Sequence, residues 1–317
     1  MRAFTQALAG ILVAGALATP VFAQELKIMA PAAPGGGWDQ TARSLQQALQ
    51  TEGLAKGVQV NNVPGAGGSI GIAQFVNQSK GDPNALMVGG YVMVGALIAN
   101  NSPVKLDQVT PIARLTGEYE AIVVPTSSTI KTIGDLVAQL KADPGTVSWG
   151  GGSAGGTDHI TVGLIAKAAG VDPTKINYIP FSGGGEALAA IVGGKVTAGI
   201  SGYGEFEGQV KAGKLRVLAV SAPERLAGVD APTLKEAGIN VEVQNWRAIW
   251  AAPGITPEQK ASLISTFEKL HGSKSWKDTL AAKGWSDTFL AGDTFGGYVT
   301  KEVEQTTAVL KDIGLAK

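Results

Sequence analysis

The sequence predicts an α/β protein with two domains, each a mainly parallel sheet flanked by helices. The chain has 317 residues, enough for two domains of ~150 residues, and 44% of them are hydrophobic, which is enough for a sizeable core. Short apolar runs also alternate with helical patterns, and glycine-rich loops join them. In such sheets the loops after the strands meet at one edge, where ligands bind, so we expect a ligand cleft between the domains.

The first part of the chain repeats a unit of strand, glycine loop and helix. Apolar residues at helical spacing after each loop distinguish the helices from the short strands. We predict strands at 26–30, 58–63, 85–92 and 118–125, glycine loops at 34–37 and 64–68, and helices at 38–51 and 69–77.

The middle of the chain repeats the same unit and completes a second sheet. We predict strands at 147–149, 176–181, 196–200 and 215–220, glycine loops at 150–156 and 182–185, and helices at 133–141, 157–169 and 186–192. Strands that alternate with helices in this way favour parallel pairing with right-handed crossovers.

The last part of the chain shows helical periodicity at 257–270, 275–283 and 295–313 and no predicted sheet of its own. We therefore expect these helices to pack on the first domain. The first domain then comprises residues 24–125 and 241–317, and the second domain, 126–240, is an insertion. The two chain crossings, near 120–125 and 241–250, form a hinge.

The N-terminus is typical of a secretory signal peptide. Arg2 precedes an apolar run over 7–18, and small residues at Val21 and Ala23 predict cleavage after residue 23. The run is too short to span a bilayer. We therefore expect a protein secreted into the periplasm.

The composition excludes several classes of function. With 26 basic and 26 acidic residues, the chain lacks the basic surface of a nucleic-acid-binding protein. The absence of cysteine excludes thiol catalysis, disulfides and cysteine metal sites. Its two histidines, His159 and His271, have no spaced ligand partners, so we predict no metal and no cofactor.

The four glycine loops predict an anion site. A helix start presents unpaired backbone N–H groups and a partial positive charge of roughly +0.5. Glycine lets a ligand approach these amides, which hold phosphate or carboxylate groups. Glycine turns between strand and helix can also be purely structural, but four such loops, two in each domain, favour binding.

Gly150, Gly152 and Gly155 match a dinucleotide-binding fingerprint in spacing. The acidic residue that should end the next strand is missing, since the first acid after that strand is Glu186 in the following helix. A Gly-Lys-Ser/Thr loop for nucleoside triphosphates is also missing. A nucleotide ligand remains an alternative only.

Ser153, Asp158 and His159 cluster in sequence but do not form a recognisable catalytic triad. The adjacent acid and histidine diverge by about 100° on a helix, so they do not share one face. We expect hydrogen bonds at the helix start and ligand contact instead, and for His159 a structural role is the alternative. Asp39 can cap its helix or accept a ligand hydroxyl. Arg247 can pair with a ligand carboxylate or form a structural ion pair.

The glycine loops carry motifs that resemble one protein family. Residues 31–39 are Pro-Ala-Ala-Pro-Gly-Gly-Gly-Trp-Asp, and 62–71 are Asn-Val-Pro-Gly-Ala-Gly-Gly-Ser-Ile-Gly. Further motifs lie at 152–159, 181–186 and 231–238. Over essentially its whole length the chain resembles the periplasmic solute receptors of tripartite tricarboxylate transporters, also called Bug receptors. Gly37, Trp38 and the Gly-Gly-Gly-Glu at 183–186 are most similar to the tricarboxylate (citrate-type) branch.

The resemblance implies a two-domain type II periplasmic binding protein fold that closes on a small organic acid and does no chemistry. It implies delivery of the acid, citrate or another tricarboxylate, to membrane permease subunits by a monomer. A dicarboxylate, an acidic amino acid, and an enzyme that binds a phosphorylated or nucleotide ligand remain alternatives. By the same resemblance, the ligand-binding residues are Gly36, Trp38, Asp39, Gly67 and Ser69 in the first domain and Ser153, Thr157, His159, Gly184 and Ser201 in the second.

Overall fold

The computed structural model describes residues 24–181 and 184–317. The predicted signal peptide, residues 1–23, and residues 182–183 of the fourth glycine loop lie outside this part of the chain. Its strands are β1 (Gln24–Ala30), β2 (Ala55–Asn62), β3 (Ala85–Gly90), β4 (Thr110–Pro125), β5 (Ser148–Gly151), β6 (Asn177–Pro180), β7 (Ala198–Gly202), β8 (Leu215–Val220), β9 (Gln244–Ala251) and β10 (Ser286–Ala291).

The helices follow the predicted order, with two additions. They are α1 (Gly37–Thr51), α2 (Ser69–Gln78), α3 (Tyr91–Ala99), α4 (Ile133–Ala142), α5 (Thr157–Ala168), α6 (Gly184–Val192), α7 (Tyr203–Lys211), α8 (Pro257–Gly272), α9 (Lys274–Lys283) and α10 (Gly292–Asp312). None of these helices has both the length and the apolar character needed to cross a membrane.

Local sequence signals explain where several helices begin. Thr132 and Asp135 form a reciprocal capping box at the start of α4, and Thr256 and Gln259 form another at the start of α8. Pro257 occupies the first turn of α8, where its missing N–H has no partner to lose. In contrast, α1 and α5 begin after glycines without a side-chain cap. The backbone N–H groups in the first turns of α1 and α5 therefore need hydrogen-bond partners other than a capping side chain.

The strands form one curled, mixed sheet in the order β2-β1-β3-β9-β4-β7-β5-β6, with β8 and β10 also paired to β4. The outer pairs are parallel: β1 with β2 and β3, and β5 with β6 and β7. Every pair that includes β4 or β9 is antiparallel. The sheet is therefore mixed rather than mainly parallel, because β4 and β9 run against their neighbours at its centre.

Strand β4 belongs to both halves of this sheet. Its residues 110–119 pair with β9, and its residues 120–123 pair with β7. The buried hydrophobic residues divide at the same place. One cluster draws on residues 26–115 and 246–299, and two smaller clusters draw on residues 121–243. The two halves of the sheet thus have separate cores and share β4.

Four elements differ from the sequence prediction. The apolar run predicted as a strand over 85–92 ends at Gly90 and continues as α3, and α7 was not predicted at all. The segment predicted as the second hinge crossing contains the buried strand β9. The C-terminal part, predicted without a strand, contributes β10 to β4. In each case pairing or packing with distant residues determines the outcome.

Candidate functional site

A cavity of about 90 Å³ lies where the loops after β1, β2, β5 and β7 meet. The carboxyl ends of these strands approach one another there, as expected for an α/β sheet. The cavity is lined by Pro31, Ala32, Gly36, Gly37, Trp38, Gly65, Gly67, Val92, Gly152, Ser153, Gly156, Thr157, Asp158, Phe181, Ala187, Ser201, Glu205, Asn245 and Arg247. The lining residues between 31 and 92 form the first wall, and those between 152 and 205 form the second. The volume is below the usual ~300–1,000 Å³ of ligand pockets, so the two walls lie close together.

Asp39 holds the first glycine loop in shape. Its carboxylate accepts hydrogen bonds from the backbone N–H of Gly35 at 2.8 Å, from Nδ2 of Asn62 at 2.9 Å and from Nε of Arg43 at 3.0 Å. The side chain is only 3% exposed and does not line the cavity. Burial raises the pKa of Asp39, but the hydrogen bonds from Arg43, Gly35 and Asn62 together keep it below its usual value.

The second glycine loop packs against both walls. Gly67 has a φ of +60°, and a Cβ there would overlap Cβ of Ala96 on α3 and lie 3.3 Å from Cβ of Ser153. Gly68, with a φ of +90°, leaves room for the ring of Trp38, which would lie 3.0 Å from a Cβ. Glycine is required at both positions by conformation and by space.

Helix α3 brings the first wall against the third glycine loop. A Cβ at Gly95 would overlap the carbonyl oxygen of Gly155, and a Cβ at Gly156 would lie 3.0 Å from Cγ1 of Val92. The helix that the sequence did not predict therefore forms much of the contact between the two sides of the cavity.

The start of α5 carries the polar groups of the second wall. The backbone N–H of Gly152 donates to Oδ2 of Asp158 at 2.6 Å, and Oη of Tyr178 donates to the carbonyl oxygen of Gly152 at 2.8 Å. Oγ1 of Thr157 is fully buried, lines the cavity and has no hydrogen-bond partner among the described residues. This hydroxyl is available to a ligand.

His159 lies behind this wall rather than in it. Its Nδ1 accepts a hydrogen bond from the N–H of Gly155 at 3.2 Å, and its ring stacks on Tyr178 with centroids 4.1 Å apart. Burial lowers the pKa of His159 to about 4, so the ring is neutral at physiological pH. It fixes the loop and supplies no charge.

Glu205, in the first turn of α7, reaches across the cavity. Its carboxylate interacts with the backbone N–H of Gly37, the first residue of α1, and accepts a hydrogen bond from Oγ of Ser201 at 3.3 Å. A carboxylate at a helix start is stabilised by the N–H groups and by the helix dipole. An acidic side chain of the second wall thus faces the amide end of α1.

Arg247 and Glu118 form a buried ion pair beside this contact. Their side chains are 4% and 5% exposed, and the guanidinium donates to Oε1 of the glutamate. Glycines make room for both partners. A Cβ at Gly37 would lie 2.8 Å from Cζ of Arg247, and a Cβ at Gly202 would overlap the carboxylate of Glu118.

Three carboxyl groups gather at this end of the cavity: Glu120 on β4, Asp158 on α5 and Glu205 on α7. Burial, and then the charges of Asp158 and Glu205, raise the pKa of Glu120 well above its usual value. Burial raises the pKa of Asp158 to about 6. Burial and the charge of Asp158 raise the pKa of Glu205 to about 7.

The structure brings six of the predicted ligand-binding residues to the cavity: Gly36, Trp38, Gly67, Ser153, Thr157 and Ser201. Asp39 and His159 lie behind the loops, and Ser69, the first residue of α2, is not among the described lining residues. Gly184 is the first residue of α6, and its contacts lie outside the described part of the structure. Their roles as ligand contacts stay predictions.

Sequence reasoning missed Glu118, Glu120 and Glu205, and it assigned Asp158 to the helix start and to ligand contact without placing it in an acidic cluster. No local motif marks these acids, because β4 and α7 join the site only through tertiary pairing. The one available signal was their position, at or just beyond the ends of apolar strands. Within the described ranges, no group of His, Asp or Glu side chains is arranged to hold a metal ion.

Comparison with known proteins identifies the family. The sequence profile described as "Tripartite tricarboxylate transporter family receptor" matches residues 41–315. The chain belongs to this receptor family. It is 28% identical to Protein BugT of Bordetella pertussis over 320 residues, which covers 97% of each chain. The chain is thus a periplasmic solute-binding receptor of the tripartite tricarboxylate transporter family.

Two solved structures show the same fold. One is MatC from Rhodopseudomonas palustris with bound malate, at 23% identity and a TM-score of 0.80, covering 92% of this chain and 100% of that one. The other is R. palustris Rpa4515 with adipate, at 23% identity and a TM-score of 0.81, covering 92% and 98%. The receptor fold predicted from the sequence is confirmed.

Proposed function

We propose that this receptor captures a small acid with carboxylates at both ends and delivers it to the membrane permease subunits of a tripartite transporter. The leading candidate is citrate or another tricarboxylate. The observation that carries the proposal is a cavity lined by two helix starts, α1 at Gly37 and α5 at Thr157. Each start favours a negative group, so an acid with two ends matches both walls.

The ligand contacts follow from the cavity. On the first wall we assign the loops at Gly36 and Gly67 and the ring of Trp38, and on the second wall Ser153 and Thr157. Because the oxygens of Asp39 accept internal hydrogen bonds, a ligand hydroxyl is better matched by Asn245, whose Oδ1 lines the cavity without a partner in the described structure.

The domain division supports a cleft that opens and closes. We propose a first domain of residues 24–125 and 241–317 and an inserted second domain of residues 126–240, in line with the separate cores on either side of β4. The narrow cavity requires the walls to separate before an acid the size of citrate can enter. We further propose export by the signal peptide at 1–23 and action as a monomer.

Two receptors of the same fold indicate which other ligands to consider. MatC holds malate and Rpa4515 holds adipate, both dicarboxylates. A dicarboxylate or an acidic amino acid is therefore the second candidate ligand. An enzyme that acts on a phosphorylated ligand is a weaker alternative, because His159 accepts a backbone hydrogen bond and stacks on Tyr178 instead of activating Ser153.

Isothermal titration with citrate, tricarballylate, malate, succinate and butyrate tests the proposal. A monocarboxylate leaves one wall's amides unpaired, at about 1–3 kcal/mol, so we expect a roughly 5- to 150-fold preference for the acids with two or three carboxylates. Butyrate that binds as tightly as citrate would contradict the two-walled site. Recovering each acid unchanged after incubation with the protein separates a receptor from an enzyme.

A further inference from the structure

The acidic end of the cavity is not neutralised by a basic side chain. Asp158 and Glu205 line the cavity, and the fully buried Glu120 lies directly behind Asp158. Arg247 is the single basic residue among the described lining residues, and its guanidinium already pairs with Glu118. A fully ionised polycarboxylate would meet like charges here.

The other titratable groups around the cluster add no positive charge. His159 is neutral because its Nδ1 accepts the N–H of Gly155 and its ring is buried against Tyr178. The phenol of Tyr178 donates to a backbone carbonyl, and burial followed by the charges of Asp158 and Glu120 raises its pKa well above the usual value. Both rings remain uncharged at neutral pH.

The two lining carboxyls are already partly hydrogen-bonded within the protein. Asp158 accepts from the N–H of Gly152 through Oδ2 and hydrogen-bonds with the buried Glu120. Glu205 accepts from Oγ of Ser201 through Oε2 and from the N–H of Gly37. Two further polar atoms line the same cavity, at least nine-tenths buried and without partners in the described chain: Oγ1 of Thr157 and Oδ1 of Asn245. The side chain of Asn245 also hydrogen-bonds with Glu120, which leaves its Oδ1 and the hydroxyl of Thr157 for a bound polar molecule.

We propose, on the basis of the proposed function, that Asp158 and Glu205 bind a carboxyl group of the ligand by sharing a proton with it. Each ligand molecule is then bound together with at least one additional proton. Two carboxyl groups repel each other unless one is protonated, and a hydrogen bond from O–H to a carboxylate oxygen is short and strong. The first wall's amides hold the other end of the ligand as an ordinary carboxylate.

The raised pKa values support this arrangement. With the pKa of Glu205 near 7 and that of Asp158 near 6, a proton is available close to neutral pH. Binding should be tight at low pH, where the cluster is protonated, and should weaken as the pH rises above about 7. The receptor would therefore select small di- and tricarboxylic acids in a partly protonated form.

Titration calorimetry counts the protons directly. Citrate, malate and succinate are titrated at pH 5.5, 6.5, 7.5 and 8.5, each in two buffers of different ionisation enthalpy. We expect uptake of about one proton per ligand at pH 7.5 and a Kd that rises about tenfold per pH unit above pH 7. Binding without proton uptake at pH 7.5 would overturn the proposal.

Amide variants separate this cluster from protonation of the ligand itself. Glu205→Gln and Asp158→Asn keep the shape and donate a hydrogen bond without titrating, so each should flatten the pH dependence between pH 6.5 and 8.5. Glu207→Gln, on the same helix with its side chain 41% exposed, is the matched control and should keep the original slope. If Asp158→Asn does not fold, Glu205→Gln alone carries the comparison.

Three results contradict the inference in different ways. Unchanged slopes in the folded amide variants would assign the protons to the ligand. Tighter binding of 4-aminobutyrate than of succinate would show that the cluster is ionised and binds a cation. Failure of every acid to bind at every pH would overturn the proposed function, and this inference with it, whereas binding without proton uptake overturns this inference alone.

Discussion

Gly37 and Arg247 fit together so closely that a Cβ at the glycine would lie 2.8 Å from Cζ of the guanidinium. The first residue of α1 therefore has no side chain because the buried arginine fills the space beside it. The same guanidinium pairs with Glu118, and the N–H of Gly37 faces Glu205. One glycine thus couples the ion pair to the helix start that we assign to ligand binding.

Replacing Gly37 by alanine should displace Arg247 and move the amide that faces the cavity. We expect a loss of about 1–3 kcal/mol in the free energy of unfolding, as for overpacked cores, and weaker citrate binding. Urea unfolding and calorimetry measure the two effects. Gly134→Ala is the control, since that glycine lies in the first turn of α4 and its nearest neighbour to a Cβ would be 3.5 Å away. Equal stability of both variants would contradict the steric account.

Removing one partner of the buried ion pair should be costly. Arg247→Met leaves the carboxylate of Glu118 buried and unpaired, so we expect a loss of about 3–5 kcal/mol in the free energy of unfolding. The double variant Glu118→Leu/Arg247→Met removes both charges and should recover most of that loss. Urea unfolding of both single variants and the double variant gives a double-mutant cycle. Additive losses in the free energy of unfolding would show that the pair does not interact.

Gly67 and Gly53 have nearly the same φ, so replacing each by alanine separates the cost of backbone strain from the cost of a steric clash. Gly67, with a φ of +60°, has Ala96 and Ser153 against it, whereas Gly53, with a φ of +64°, has no atom within 4 Å of a Cβ. Gly53→Ala should cost about 1–2 kcal/mol from strain alone. Gly67→Ala should cost about 1–3 kcal/mol more and weaken ligand binding, because the walls can no longer meet. Thermal unfolding and calorimetry compare the pair, and equal losses would remove Gly67 from the wall contact.

Glu120 should make stability fall as the pH rises. Its folded-state pKa is raised, so the folded protein keeps a proton that the unfolded chain releases above its ordinary value near 4.5. The stabilisation is complete below pH 4.5 and is lost as the pH increases toward the folded pKa. Glu120→Gln should therefore be more stable than the parent protein at pH 8 and should show a flatter profile. Urea unfolding between pH 4.5 and 8.5 tests this, and a parallel shift of the two profiles would contradict it.

The proposed hinge predicts a change of shape on binding. The narrow cavity has to open for a ligand to enter and close to bring both helix starts to it. Small-angle scattering should give a smaller radius of gyration with citrate than without it. An unchanged radius at saturating ligand would argue against closure.

The sequence predicted the strand–loop–helix units well because their signals are local. Glycine loops and helical spacing placed α1, α2 and α5 within one residue at either end. It failed at α3, where residues 91–99 are almost entirely apolar and show no helical period, as expected for a helix buried on all sides. Strand β9 was missed for a different reason: the pairing that forms it, with β3 and β4, is distant in sequence.

The site was predictable in part for the same reason. The glycines at 36, 67 and 156 stand in recognisable loops, whereas the acids gather only after β4, α5 and α7 have packed together. Asp39 was assigned to the ligand from its place after a glycine loop. No local pattern in the sequence indicates that Arg43 and Asn62 surround its carboxylate.

Most of α10 packs on the core of the first half of the molecule, through Phe295 and Val299. The end of α10 packs instead against α5 in the second half. Leu310 and Ile313 pack against Ile160, and Asp312 forms an ion pair with Lys167. Because the sequence contains no cysteine, a cysteine introduced at Lys311 would be the sole thiol for an environment-sensitive dye. Any rotation of one half of the sheet relative to the other would shift the contact between α10 and α5. A dye at the end of α10 would therefore report ligand capture as a change in fluorescence.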